Sequence, residues 1–356
     1  MTMLQELKRR DLPPVVTPGT TADNWQQRRR EMIEILAREE YGFSPEPPDH
    51  VSAETTFLEE RAWAGKAEHR EIALKFPTPK GEFSFPVDLV IPYSDEKLPL
   101  FIYISFTKYP IGKYGPIEEI VDSGYALATF CYKDVTDDKD DDFSSGLAAM
   151  YPRENTGSAW GKISMWAWAA SRVMDYVQTL DAIDKNRIFV VGHSRLGKTA
   201  LWCGAQDPRF SAAVSNDSGC SGAAVSRGKE GERIRDIVTR FPHWFCENYR
   251  KYQDREEELP FDQHFLIASM APRPVYVASA VEDLWADPKS EFLSCAAASS
   301  AYKLLGGRGL VSENHFPKPG DVFQEGEIGY HLRTGTHFLS RYDWQQFIKY
   351  MDRHFK

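Results

Sequence analysis

The chain has 356 residues, of which 42% are hydrophobic and 27% charged, a composition typical of a globular protein with a large core. No run of about 18 apolar residues predicts a membrane span, and a net charge of −9 argues against nucleic acid as the main partner. The start, MTMLQELKRRDLPP, lacks the apolar stretch of a secretory signal, so we expect a cytoplasmic protein or a mature form.

The N-terminal part of the chain is predicted to be a helical extension of a single catalytic domain. Residues 23–40 have helical spacing and precede a proline-rich loop. Further on, HREIALKF and FSFPVDLVIP flank the turn-like TPKGE, which predicts an antiparallel hairpin. We therefore predict an extension over residues 1–60 that packs on the core, and a catalytic domain over residues 61–356.

A series of short apolar runs follows the hairpin. Helical segments separate the later ones, which is the alternation that produces a mostly parallel sheet with helices on both faces. The runs are LFIYISF, ALATFCY, RIFVVGH, FSAAVSN and RPVYVASA. The sequence therefore predicts an α/β fold. The acidic stretch DVTDDKDDD, residues 134–142, is predicted to be a solvated loop, because it lacks the ligand spacing and glycine of a calcium-binding EF-hand.

Five cysteines are scattered along the chain without a CxxC pair. This pattern favours reduced, buried thiols over a disulfide framework or a zinc site, although it leaves one bridge open.

The strand RIFVV runs directly into GHSRLGK, and TALWCGA continues as a helix. A serine on a tight strand-to-helix turn is the nucleophile elbow of α/β-hydrolases, so Ser194 is the predicted nucleophile. Leu196 stands where the standard pattern has a second glycine, and Gly197 follows it. The alternative is an ordinary N-cap serine.

A serine nucleophile requires a histidine base and an acid that orients the base. In this fold the histidine comes last, and His337 lies in a loop of small residues before the terminal amphipathic helix. His331 is its main competitor. Two residues are candidates for the acid: Asp283, which follows PVYVASA, is slightly favoured over Asp217, which follows FSAAVSN.

Several blocks of the sequence, in order, resemble the glucuronoyl esterases of carbohydrate esterase family 15, especially bacterial members labelled acetylxylan esterase-like. The resemblance covers most of residues 90–350. The blocks are GHSRLGKTALW, SNDSGCSGAA, RGKEGE, FPHWF, APRPVYVASAVEDLWADP and GYHLRTGTHF. The family elbow, GxSRxGK, accounts for the leucine at position 196.

The resemblance implies roles for several further residues. Arg195 would donate its backbone N–H and its guanidinium to the oxyanion, and Lys198 would hydrogen-bond the sugar. Trp285 and Glu232 resemble residues of the family that contact the sugar. Family members carry the acid after either the sixth or the seventh strand, and the usual glutamate at the first place is here the shorter Asp217.

The implied reaction is hydrolysis of a 4-O-methyl-glucuronoyl ester through an acyl-enzyme on Ser194. This chemistry needs no metal or cofactor. An acetyl esterase with the same triad and a catalytically inactive carbohydrate-binding protein are the alternatives. No oligomeric state follows from the sequence.

Overall fold

A computed structural model describes residues 2–108, 114–153 and 156–356. The strands are β1 Ser52–Arg61, β2 Ala67–Thr78, β3 Gly81–Pro92, β4 Leu98–Ser105, β5 Ala126–Cys131, β6 Ile183–His193, β7 Ala212–Asn216, β8 Val275–Ala280, β9 Val322–Phe323 and β10 Ile328–Arg333. The α-helices are α1 Met3–Arg10, α2 Trp25–Leu36, α3 Ala62–Gly65, α4 Ile117–Asp122, α5 Tyr132–Val135, α6 Gly146–Met150, α7 Lys162–Val177, α8 Arg195–Gln206, α9 Ile234–Arg240, α10 His264–Ala268, α11 Pro288–Leu304 and α12 Arg341–Phe355. A π-helical turn, Ala37–Tyr41, extends α2, and 3₁₀ turns span Glu247–Tyr252 and Glu256–Glu258.

Within these described residues, ten strands form one sheet in the order β1-β2-β3-β5-β4-β6-β7-β8-β10-β9. The central strands β5, β4, β6, β7, β8 and β10 are parallel, whereas β1, β2, β3 and β9 pair antiparallel with their neighbours. Helices connect the parallel strands, as crossover connections require. The predicted α/β-hydrolase fold, with a mostly parallel central sheet, is confirmed.

Both faces of the sheet are buried, as strand β4 illustrates. Its residues are all buried, and they alternate between two apolar clusters. Ile102 packs in the larger cluster with side chains of α7, α8 and α11, whereas Phe101 packs in the smaller cluster with side chains of α4 and α12. A strand that is buried on both faces reads as a continuous apolar run, which is why the sequence revealed it.

The predicted hairpin and the predicted strands are confirmed. Strands β2 and β3 pair antiparallel from Ala67–Pro92 to Thr78–Gly81, and each of the five apolar runs overlaps one of the strands β4 to β8. The helical prediction for residues 23–40 corresponds to α2 and its π-helical turn. All five cysteines are buried and unpaired. Of the helices in the described part of the chain, none has the length and apolarity to cross a membrane.

The N-terminal helices share the core of the sheet. Trp25 and Met32 of α2 belong to the larger apolar cluster, and the indole N–H of Trp25 donates to the carbonyl of Ala271 at 3.2 Å. Strand β1 pairs with β2, so the boundary predicted at residues 60 and 61 falls at the last residues of a strand of the sheet.

The prediction of a solvated loop at residues 134–142 is wrong for two of its carboxylates. Asp141 accepts a hydrogen bond at 2.6 Å from the ammonium of Lys162, which is fully buried. The side chain of Asp138 is only 6% exposed. Asp140 and Asp142 are exposed as expected. Charge runs are usually solvated because burial of an unpaired charge is costly, and here cations distant in sequence remove that cost.

Candidate active site

Ser194 occupies a strained turn between β6 and α8. Its φ of 58° and ψ of −127° lie outside the regions that ordinary residues prefer. The backbone N–H of Ser194 donates to the carbonyl of Asn216 at 2.8 Å, which ties the turn to the end of β7. At Gly192 a Cβ atom would lie 2.0 Å from the carbonyl oxygen of Leu196, so the turn requires glycine at this position. Steric exclusion of a side chain therefore explains the first glycine of the motif.

His337 lies in the loop between β10 and α12, and its side chain is 44% exposed. Its Nδ1 is 2.6 Å from Oδ2 of Asp283, which follows β8 and is nearly buried. Burial raises the pKa of Asp283, but the hydrogen bond and charge of His337 outweigh burial, so the pKa is lowered. Because Asp283 is therefore ionised, Nδ1 of His337 carries the proton and Nε2 is free to accept one.

A second histidine supports the ring of His337. The ring of His193 packs against it with centroids 4.6 Å apart, and Nδ1 of His193 is 2.6 Å from Oδ1 of Asn216. Burial, followed by the charge of His337, lowers the pKa of His193 to about 3. His193 is therefore neutral at physiological pH and presents an uncharged face to His337.

Asp217 lies beside this pair but has different hydrogen-bond partners. Its carboxylate accepts backbone N–H groups from Ala280 at 2.8 Å and Phe338 at 3.3 Å. It also accepts a hydrogen bond from the guanidinium of Arg333 at 3.3 Å. Burial, followed by the charge of Glu291, raises the pKa of Asp217 well above its usual value. Asp217 thus connects the segments that carry Asp283 and His337.

The ligand atoms of Asp217, Asp283 and His337 lie within 4.8 Å of one another, a grouping that could hold a metal ion. Hydrogen bonds within the protein already engage the carboxylates of both aspartates and Nδ1 of His337. The arrangement fits a proton-transfer site better than a metal centre.

Arg195 begins helix α8 directly after Ser194, the candidate nucleophile. Its Nη1 donates to Oδ2 of Asp138, and its guanidinium lies over the ring of Trp244, with Cζ 4.8 Å from the ring centroid. Its Nε is buried and has no hydrogen-bond partner among the described residues. The guanidinium of Arg195 thus lies between an acidic partner and an aromatic ring at the cleft.

Lys198 and Glu232 are both nearly buried at the cleft. The ammonium of Lys198 donates to the carbonyl of Ser218, and burial lowers the pKa of Lys198. The backbone N–H of Glu232 donates to the carbonyl of Trp285 at 2.9 Å. Trp285 is 48% exposed, and the guanidinium of Arg240 lies 6.0 Å from the centroid of its ring. An exposed tryptophan beside charged groups is a suitable platform for a sugar ring.

All eight residues to which the sequence analysis gave a catalytic or sugar-binding role line one cleft of about 330 Å³. They are Ser194, Arg195, Lys198, Asp217, Glu232, Asp283, Trp285 and His337. A larger cavity of about 730 Å³, with a mostly apolar lining that includes Leu284 and Phe316, meets this cleft at the tryptophan. The competing histidine, His331, is instead fully buried in β10, where Nε2 lies 2.8 Å from Oδ1 of Asp343.

Sequence reasoning missed several residues that contribute to this site. In the sequence, His193 occupies a variable position of the elbow motif, and Asn216 precedes the acid candidate Asp217. Neither position indicated a role. Asp138 was hidden in a run of charges. His243 and Trp244, which contact Asp138, lie in the FPHWF block that carried the resemblance, and this block was the one available signal.

The residues that line the cleft can carry out acyl transfer. Ser194 is the candidate nucleophile on a turn that lines the cleft, the His337–Asp283 pair can take up and return its proton, and Arg195 can donate N–H groups to a developing negative charge.

Comparisons with known proteins agree with this chemistry. A family model described as "Glucuronyl esterase, fungi" matches residues 78–306. The chain is 36% identical over 380 aligned residues to carbohydrate esterase MZ0003 of an unknown prokaryotic organism, covering 95% of this chain and 87% of that protein. It is 27% identical to a 4-O-methyl-glucuronoyl methylesterase of Schizophyllum commune, covering 84% of this chain and 72% of that protein. A solved structure of a glucuronoyl esterase from Solibacter usitatus superposes with a TM-score of 0.89 at 35% identity, covering 97% of this chain and 98% of that one.

Proposed function

Because the chain belongs to carbohydrate esterase family 15, the glucuronoyl esterases, we propose that it hydrolyses the ester between 4-O-methyl-glucuronic acid and an alcohol. The protein is a carboxylic ester hydrolase that acts on carbohydrate esters. The uronoyl group is the finer part of the proposal. Its support is the name of relatives such as the Schizophyllum commune methylesterase, together with the charged side chains that line the cleft.

In the proposed reaction, Oγ of Ser194 attacks the carbonyl carbon of the ester while Nε2 of His337 accepts the hydroxyl proton. The C–O bond to the alcohol breaks as His337 returns the proton to the leaving oxygen. Water then attacks the acyl-enzyme, with His337 again as base, and releases the uronic acid and Ser194. Asp283 stabilises the imidazolium that forms in each step.

The observation that carries this mechanism is the 2.6 Å hydrogen bond between His337 and Asp283 at the cleft that Ser194 also lines. Asp217 is the alternative acid. Its carboxylate accepts hydrogen bonds from two backbone N–H groups and Arg333, and these contacts favour a bracing role. We therefore assign the acid of the triad to Asp283.

We further propose that Lys198, Glu232 and Trp285 bind the sugar ring, and that Arg195 stabilises the oxyanion. Lys198 and Glu232 provide a donor and an acceptor for hydroxyl groups, and the half-exposed ring of Trp285 provides an apolar face. Such donors and acceptors fix the orientation of a sugar in a cleft, while the exposed ring packs against its C–H groups.

The substrate is tested by a parallel assay on three esters. These are the methyl ester of 4-O-methyl-glucuronic acid, acetylated xylo-oligosaccharide and nitrophenyl acetate, each with the wild type and Ser194→Ala. We expect kcat/KM to be highest on the uronate ester, by about 10-fold or more, since contacts to the sugar lower the barrier of the chemical step. A preference for the acetylated sugar would instead assign an acetyl esterase.

A further inference from the structure

Asp138 is the most fully hydrogen-bonded carboxylate of the acidic segment. Its Oδ1 accepts from Nε2 of His243 at 2.9 Å and from the indole N–H of Trp244 at 2.7 Å. Its Oδ2 accepts from the hydroxyl of Tyr132 at 3.0 Å and from Nη1 of Arg195. Each oxygen therefore has two donors, which leaves the carboxylate little freedom to rotate.

The donors come from separate parts of the chain. Tyr132 begins α5, Arg195 begins α8, and His243 with Trp244 follows α9. The acidic segment itself is held in place by the buried ammonium of Lys162, which donates to the carbonyls of Asp137 at 2.6 Å and Lys139 at 2.8 Å. Asp138 is thus held in place, and it hydrogen-bonds to α5, α8 and the segment after α9.

The guanidinium of Arg195 is confined from several directions. Aromatic rings surround it, with Cζ 4.8 Å from the centroid of Trp244, 5.4 Å from Phe241 and 5.7 Å from Phe106. The rings of Phe241 and Trp244 are themselves stacked, 3.9 Å apart and nearly parallel. These rings limit where the guanidinium can lie, but they do not determine its rotation about the Cδ–Nε bond. A hydrogen bond to one of its nitrogens does determine that rotation.

We propose that Asp138 is a positioning residue for the hydrolysis: by accepting from Nη1 of Arg195, it turns the rest of the guanidinium toward the ester bound above Ser194. Asp138 is not one of the described residues that line the cleft, so it acts through Arg195. The N–H groups of Arg195 that Asp138 does not engage are the donors left for the oxyanion at the cleft. This inference rests on the proposed function of Ser194 and Arg195.

Loss of the hydrogen bond between Arg195 and Asp138 should lower kcat. Electrostatic stabilisation depends on donors that already point at the developing charge, because reorienting them during the reaction costs free energy. A free arginine side chain also loses rotamer entropy when it orders in the transition state. Loss of Asp138 should therefore reduce kcat more than it changes KM.

The test is a double-mutant cycle on kcat for the methyl ester of 4-O-methyl-glucuronic acid, with wild type, Asp138→Asn, Arg195→Met and the double variant. We expect Arg195→Met to lower kcat by about 10²- to 10³-fold. Asp138→Asn should lower kcat by about 10- to 100-fold and change KM by less than about 3-fold. In the Arg195→Met background, Asp138→Asn should lower kcat by less than about 3-fold, because the arginine that Asp138 positions is absent.

Asp141→Asn is the matched control. It removes one charge from the same acidic segment, but its partner is Lys162 and not Arg195. We expect it to lower the thermal midpoint while kcat stays within about 3-fold of wild type. If Asp138→Asn fails to fold, as judged by circular dichroism, Asp138→Glu takes its place in the cycle, since it displaces the carboxylate and keeps the charge.

Two results would overturn the inference: an equal fold-loss from the Asp138 substitution in both backgrounds, or no loss in the wild-type background. Neither result touches the proposed function, which depends on the loss of activity in Ser194→Ala.

Discussion

The two carboxylates near His337 differ in their partners, and the roles that we propose for them rest on this difference. Asp283 accepts from Nδ1 of His337 at 2.6 Å, whereas Asp217 accepts from backbone N–H groups and Arg333. A carboxylate that accepts the histidine proton selects the reactive tautomer. One that accepts backbone N–H groups determines where the chain lies.

Substitution of the two acids should therefore separate them. We expect Asp283→Asn to lower kcat by about 10³- to 10⁴-fold at an almost unchanged thermal midpoint, because an amide favours the wrong tautomer of His337. Asp217→Asn should cost about 10-fold or less in kcat and should lower the thermal midpoint, because its contacts are structural. Steady-state kinetics and thermal unfolding on both variants provide the comparison. The opposite ranking in kcat would transfer the acid role to Asp217.

His193 should make the stability of the protein depend on pH. Its pKa is lowered to about 3 in the folded state, and an unfolded histidine titrates near 6.5. Between these values the unfolded chain binds a proton that the native state does not. The free energy of unfolding should therefore fall by about 1.4 kcal/mol per pH unit as the pH drops below about 6.5.

His193→Gln keeps a donor for Asn216 and removes the titration. Urea unfolding at pH 7 and pH 5 should thus show a smaller loss of stability in this variant than in the wild type. His315→Gln, at an exposed site, should keep the wild-type pH dependence. Identical pH dependence in all three proteins would show that His193 has no such effect.

At the residue scale, the sequence identified groups with an intrinsic reactivity and missed those defined by their partners. Ser194 and His337 became candidates because their motif and chain order have chemical meaning. Asp138 was assigned to solvent because its partners Arg195 and His243 are 57 and 105 residues away. Pairing over such distances is a property of the fold, and no local pattern encodes it.

Among the elements, the turn between β6 and α8 has the least steric freedom. An added Cβ at Gly192 would lie 2.0 Å from the carbonyl oxygen of Leu196, whereas at Gly197 it would lie 3.0 Å from Oγ of Ser215. We expect Gly192→Ala to lower both kcat and the thermal midpoint strongly, because backbone must move. Gly197→Ala should have a small effect. Equal effects in kinetics and thermal unfolding would mean that the turn relaxes freely.

The elements that could be predicted are those buried on both faces. Strands β4 to β8 read as apolar runs, whereas β1, with the sequence SAETTFLEER, is almost entirely exposed at the edge of the sheet and has no such pattern. Strand β10 was missed because His331 and Arg333 interrupt its apolar run. Both are buried in the strand, where Asp343 pairs with them and Asp217 also pairs with Arg333.

On the scale of the whole molecule, the N-terminal helices and the sheet share one apolar cluster. We expect Trp25→Ala, at a site 1% exposed, to lower the free energy of unfolding by about 3–5 kcal/mol in a single urea transition. Leu4→Ala, at a site 58% exposed on α1, should change it by less than about 0.5 kcal/mol. An early transition in the Trp25 variant that leaves esterase activity intact would instead mean that the extension folds separately.

The same molecule-wide packing brings the ends of β6, β8 and β10 to one edge, where Ser194, Asp283 and His337 meet. The central claim is that these residues hydrolyse a uronate ester through the serine. The most direct measurement is the release of methanol from the methyl ester of 4-O-methyl-glucuronic acid by wild type and by folded Ser194→Ala. The account predicts turnover by the wild type and a kcat lower by about 10⁴-fold or more in the variant. Turnover by Ser194→Ala at a rate near that of the wild type would contradict it.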